Sequence, residues 1–158
     1  MKEIVLIIGY PAAGKSTIVE EYVQKGYHRI NRDELGGSLE GVTRRLNERI
    51  KTGLNKFVLD NTYHTIASRK NVIDLGKHHN IPVICVHLKT SIEDAQYNAC
   101  TRMVEKYNKL LDSAQIKLVK DPGTFPTAVL FKFKKEFQEP TLSEGFSQVV
   151  PIKFNRKY

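Results

Sequence analysis

Cysteine is scarce in this chain of 158 residues. Cys85 and Cys100 stand alone, with no second pair, so neither a disulfide framework nor a zinc site is expected. A reducing, intracellular compartment is the default expectation, with nucleus or cytoplasm left open. Long apolar runs are missing too: nothing approaches the roughly 20 residues that cross a bilayer. The longest early run, IVLIIGY, is too short for a signal peptide, and no membrane partner is expected. Internal repeats, low-complexity segments and a basic tail are all absent.

What is present is an ordinary globular composition, 41% hydrophobic and 27% charged, with enough chain for one domain spanning residues 1–158. Lysine and arginine number 25 against 17 acidic residues, a formal charge of +8. Such an excess suits a polyanionic partner such as nucleic acid, although a merely basic protein has the same composition. The basic residues are spread along the chain, so a binding face would have to be assembled by folding.

Residues 2–9, KEIVLIIG, form a continuous β-branched run of the kind buried on both faces of a parallel sheet. Ile18, Val19, Tyr22 and Val23 mark one face of a helix ending at Gly26, and YHRIN (27–31) reads as a short strand. Leu39, Val42, Leu46, Ile50 and Leu54 predict a long amphipathic helix. Strands are expected at KFVLD (56–60) and VICVHL (83–88), a helix over 65–78, and another on Ile92, Ala95, Ala99 and Met103, opened by Ser91 and Asp94. Residues 105–127 read as a polar connection carrying a short helix. FKFKKEF (131–137) fits either a strand or the end of a helix starting near Thr127. SQVVPIKF (147–154) suits a last strand at an edge because of Pro151. Alternating strands and helices predict an α/β fold with a mostly parallel sheet and helices on both faces.

GYPAAGKS (9–16) matches Gly-x-x-x-x-Gly-Lys-Ser between a buried strand and a helix. Gly9 and Gly14 allow the backbone, through Tyr10, Pro11, Ala12 and Ala13, to curl its N–H groups onto phosphate oxygens. Lys15 would reach the β- and γ-phosphates, the Ser16 hydroxyl would bind Mg²⁺, and Thr17 completes the nucleotide-binding stretch. This predicts a P-loop NTPase fold of the nucleotide-kinase kind with ATP as donor. The Asn-Lys-x-Asp motif that reads guanine is absent, and a small domain with long helices between strands favours phosphoryl transfer to a second substrate.

Asp33 in RINRDEL and Asp60 in LDNT each follow a predicted strand, so both should open onto the crevice that holds the P-loop. A hydroxyl acceptor needs such a carboxylate to take its proton, and Arg32 beside Asp33 suits an anionic acceptor. Each Asp also fits a helix cap or turn. The five histidines show no metal-like spacing. His64 after DNTY is a possible substrate contact, and Arg44, Arg45 and Arg49 form either a solvated face or a strand-binding track.

GYPAAGKST, INRDEL, LDNT followed by ASR, and the tail FKKEFQEPTLSEGF together resemble the kinase domain of polynucleotide kinases, with the closest likeness to the animal bifunctional phosphatase/kinases. The likeness runs from about residue 3 to residue 154. It implies ATP-dependent phosphorylation of 5′-hydroxyl ends of DNA or RNA, as in end repair. By the same resemblance Asp33 is the general base, and Asp60 and Thr62 line the acceptor site near the metal. Arg102 acts from a lid helix, and Arg69, grouped with the substrate residues, stands where it can buttress the DNT loop. In the animal enzymes a second lid arginine occupies the place of Cys100, and phage relatives carry arginine at Gly36. No Asp-x-Asp-x-Thr phosphatase motif or Lys-x-Asp-Gly ligase motif occurs here, so those activities would come from other chains. Alternatives are a kinase of a small metabolite or nucleotide sugar, and a non-catalytic, ATP-responsive nucleic-acid binding module.

Overall fold

Ile4, Val5, Leu6, Ile7 and Ile8 have no exposed surface, and the strand they form, β1 (Glu3–Ile8), sits at the centre of the molecule. The computed structural model describes residues 1–32 and 38–156. After β1 come α1 (Lys15–Gln24), β2 (His28–Ile30), α2 (Leu39–Lys51), β3 (Lys56–Leu59), α3 (Ile66–His78), β4 (Val83–Lys89), α4 (Ile92–Tyr107), α5 (Ser113–Val119) and α6 (Ala128–Glu136). A 3₁₀ turn at Leu142–Glu144 precedes the last strand, β5 (Gln148–Lys153). The five strands lie in the order β2-β3-β1-β4-β5, all parallel.

Alternation along β1 divides the core. Ile4, Leu6 and Ile8 pack with Val42 and Leu46 of α2 and Val72 and Ile73 of α3. Val5 and Ile7 face the other way, onto Val19, Ile18 and Tyr22 of α1. The period of two in a strand thus places helices on both faces. Val23, expected on the inward stripe of α1, is 37% exposed; it lies near the end of the helix, beyond the reach of the sheet.

The ambiguous stretch 131–137 is helical as far as Glu136, because Leu130 and Phe133, three apart, both point into the core, a spacing no strand provides. Phe137 then stacks on Phe133 with ring centroids 5.3 Å apart. Pro151 stands on β5, the edge strand beside β4, where a missing N–H breaks no interior ladder.

Register decides where the strands discharge. Ile8 is level with His87, Leu6 with Leu59, and Leu59 with Ile30. The residues that follow, Gly9, Thr90, Asp60 and Asn31, therefore emerge along one border of the sheet, the carboxyl ends of its strands.

Candidate active site

Along that border runs a cleft of about 390 Å³. The P-loop from Pro11 to Ser16 forms one wall, Arg29, Asn31, Arg32, Asp60, Asn61 and Thr62 another, and Arg102 with the loop Pro122–Gly123 the third. Four cationic side chains, Lys15, Arg29, Arg32 and Arg102, share this space with a single carboxylate, Asp60, among the described residues lining it. Such a surplus of positive charge in a concave site is suited to phosphate.

The P-loop takes its shape from positive backbone angles, φ 98° at Gly14 and 59° at Ala12. Glycine adopts this conformation freely, whereas alanine needs support. Support comes from outside the motif. The Asn98 side-chain amide donates to the Ala12 carbonyl at 2.8 Å, and the Thr90 hydroxyl donates to that of Ala13 at 2.7 Å. Because C=O and N–H point oppositely across a trans peptide, drawing these carbonyls out turns the Gly14 amide hydrogen into the loop and sets that of Ala13 to close a turn on the Tyr10 carbonyl at 3.1 Å. Neither Thr90 nor Asn98 was legible as a site residue. The available signals were a threonine directly after a buried strand and a polar residue beside the small residues Ala95 and Ala99 of α4.

Lys15 folds back over the loop and donates to the carbonyls of Gly9 at 2.9 Å and Tyr10 at 2.7 Å. Burial lowers its pKa to about 8; the charge of Asp60 opposes this shift and that of Arg102 adds to it. An ammonium held by two neutral oxygens is poised to exchange them for phosphate oxygens. The Tyr10 ring turns away from the cleft and packs 4.6 Å from Phe133 of α6, so Tyr10 contributes to the loop through its backbone. Thr17 does not line the cleft.

Asp60 and Asn31 join the two acidic motifs. Asn31 donates to Asp60 Oδ1 at 3.1 Å, while Arg29 donates to Oδ2 at 2.8 Å. Burial raises the Asp60 pKa above the ordinary carboxylate range; Arg29, Asn31 and Lys15 pull it back down. Thr62 sits on the same wall, and Arg32 is exposed at the mouth. Asp33, expected as general base, lies outside the described residues, as does Gly36.

Arg69, grouped with the substrate residues, does not line the cleft. The side chain is fully buried, and its guanidinium makes a two-pronged pair with Glu144 at 2.8 and 3.0 Å. Its remaining nitrogen, Nη1, donates to the carbonyls of Tyr63 at 2.9 Å and Gln138 at 3.0 Å. Every contact is internal, and through Tyr63 it holds the segment that follows Asp60-Asn61-Thr62. His64 is likewise turned from the cleft and pairs with Glu136 at 3.0 Å.

Ser16 projects an exposed hydroxyl into the cleft from the first turn of α1. Among the described residues no group of three His, Cys, Asp or Glu side chains is placed to cage a metal. One protein hydroxyl, completed by phosphate oxygens and water, is the donor set that suits Mg²⁺. Also among the described residues, no helix is long and apolar enough to cross a membrane.

A parallel sheet with a glycine-curled anion loop at its centre and a helix that brings Arg102 to the cleft beside that loop defines a P-loop kinase. A family model described as "AAA domain" matches residues 4–140, and the chain belongs to that family. It is 36% identical over 160 residues to the bifunctional polynucleotide phosphatase/kinase of Schizosaccharomyces pombe, covering 99% of this chain and 35% of the relative. The chain spans about a third of the length of the curated relatives it matches. Among solved structures it is similar to Chaetomium thermophilum Kti12 in complex with ADP-AlF3 (15% identity, TM-score 0.66, covering 96% of this chain and 89% of that one). It is also similar to a Sinorhizobium meliloti gluconokinase (14% identity, TM-score 0.64, 99% and 85%). These two likenesses establish the fold alone.

Proposed function

We propose that this kinase transfers the γ-phosphoryl of ATP to the 5′-hydroxyl end of a nucleic acid. The observation that carries the reading is the pairing of Asn31 with Asp60, which sets the first residues of the NRD and DNT motifs side by side in the cleft with the P-loop and four cations. The name of the fission-yeast relative supports the same acceptor class. Lys15 releases Gly9 and Tyr10 to hold the outer phosphates of ATP. Arg102 places its charge over the transferring group, whose loose transition state is stabilised by charge more than by bond-making. Mg²⁺ at Ser16 would neutralise charge on the outer phosphates. Asp33 takes the proton of the attacking hydroxyl, and Arg32 meets the acceptor's own phosphates at the mouth. The chain's formal charge of +8 suits a polyanionic strand rather than a lone sugar, and phosphatase and ligase steps fall to other chains or domains.

The test is transfer of labelled γ-phosphate to matched 5′-hydroxyl DNA and RNA oligonucleotides, with 5′-phosphorylated controls and competing sugars, nucleosides and nucleotide sugars. Label should enter the 5′-hydroxyl oligonucleotides, with a KM that rises with salt. Label in gluconate or a nucleoside, with none in the oligonucleotides, overturns the reading in favour of a metabolite kinase. ATP binding with no transfer to any acceptor favours a binding module.

A further inference from the structure

Beyond β5 the chain returns to the P-loop. Phe154 lies against it, with ring carbons 3.5 and 3.7 Å from where a Cβ on Gly14 would stand. Two residues on, Arg156 Nη1 donates to Asn98 Oδ1 at 2.9 Å and Nη2 donates to Asp94 Oδ1 at 2.8 Å, both on α4. The guanidinium also covers the Tyr97 ring at 4.2 Å. The same Asn98 amide donates from its other end to the carbonyl of Ala12.

We infer that Arg156 is a positioning residue for nucleotide binding, acting through Asn98 on the Ala12 peptide of the P-loop. A carboxamide has one accepting and one donating end, similar in shape, so its orientation is set by its partners. A guanidinium donates and never accepts, so it obliges Asn98 to turn its oxygen toward residue 156. That leaves the NH₂ facing Ala12, whose carbonyl must be held outward if the loop is to keep φ 59° at an alanine. With Arg156 removed the Asn98 oxygen loses its anchor, the side chain regains rotamers that leave the loop, and the Ala12 carbonyl loses a fixed donor.

The other contacts of Arg156 make it rigid enough for this task. Asp94 receives its second prong and itself accepts from the Ser91 hydroxyl at 3.0 Å, which favours the orientation that meets Arg156. Arg156 and then Ser91 hold the Asp94 carboxyl below the usual carboxylate range. Neither Asn98 nor Arg156 lines the cleft. The relay reaches the phosphates solely through backbone geometry, and it joins the lid helix, the segment after β5 and the P-loop.

The experiment is equilibrium binding of a non-hydrolysable ATP analogue to the whole chain, compared across Asn98→Ala, Arg156→Ala, the double variant and Arg156→Lys. Each alanine variant should weaken binding about tenfold, the cost of one lost hydrogen bond to a group that must stay oriented. The double variant should bind as weakly as either single one, because both break the same chain of contacts. Arg156→Lys keeps one donor for Asn98 but loses the fork to Asp94 and the face on Tyr97, so it should recover only part of the loss seen with alanine. The KM for ATP should rise in the same order across the variants as the dissociation constant. Independent losses that multiply to about a hundredfold in the double variant would mean that Arg156 acts through its charge alone, and would overturn the relay. Unchanged binding by Arg156→Ala overturns it directly. A wild-type chain that fails to bind the analogue overturns both the relay and the nucleotide reading, so the two failures are told apart.

Discussion

Asn31 and Asp60, separated by 29 positions in the chain, are hydrogen-bonded at 3.1 Å because Ile30 and Leu59 are in register on neighbouring strands. Each residue is the first beyond its strand, so sheet pairing brings their side chains together without any loop having to be shaped for it. Arg29, one step before Ile30, alternates to the same face and closes on the other oxygen of Asp60.

Replacing Asp60 by Asn should release Arg29 and Asn31 from their common anchor. ATP binding should remain within about threefold, since the P-loop is untouched. The kcat/KM for the acceptor should fall about 10- to 100-fold as the acceptor wall loses alignment. Steady-state kinetics with each substrate varied separately distinguishes the two effects.

Lys15 sets an alkaline limit. With its pKa lowered to about 8 by burial, the free enzyme loses this positive charge as pH rises through that value. The kcat/KM for ATP should therefore decline above about pH 8, as that ratio reports the free enzyme. In the kcat profile the decline should lie at higher pH, because bound phosphates hold the proton on the amine. Lys15→Arg should remove the alkaline decline altogether, at a large cost in rate. A pH series measured both ways checks the sign and the separation.

Arg102 should matter to the chemical step more than to binding. Arg102→Ala is expected to lower kcat about 10²- to 10³-fold with the ATP dissociation constant changed a few-fold, and Arg102→Lys should recover part of the rate. Single-turnover measurements separate the two.

Asp33→Asn should leave ATP binding normal and reduce turnover by at least about two orders of magnitude, the loss expected when a general base is neutralised. Unchanged turnover would remove Asp33 from the mechanism.

Arg69→Ala should act on the fold. Leaving Glu144 buried without its partner costs roughly 3–5 kcal/mol, which denaturant unfolding will register. Activity of whatever folded fraction remains should fall less than in the Arg102 variant, since Arg69 is buried away from the cleft that Arg102 lines.

Local features were the ones legible in the sequence. The P-loop is eight consecutive residues, and the buried strands and the inward stripe of α2 are periodic within a single window. Partnerships were not legible. Thr90 reaches Ala13 across 77 positions and Asn98 reaches Ala12 across 86, each through one side chain with no repeating pattern behind it. Arg69 did leave a trace that composition obscured. It occupies the inward stripe of α3 with Val72 and Ile73, and an arginine there must find its partners inside the fold. The 131–137 segment was undecidable because its alternation of Phe and Lys satisfies a strand, whereas burial of Leu130 and Phe133 settles it as a helix.

The ring of Phe154 against Gly14 has a bearing on how the molecule is made. A ribosome completes the phosphate cradle early, yet the parts that steady it, Thr90, Asn98 and Phe154, emerge only as synthesis proceeds towards residue 154. A nascent chain halted before β5 would carry the whole glycine motif and still lack the ring that packs on Gly14, so its grip on a nucleotide should tighten only when the last strand docks.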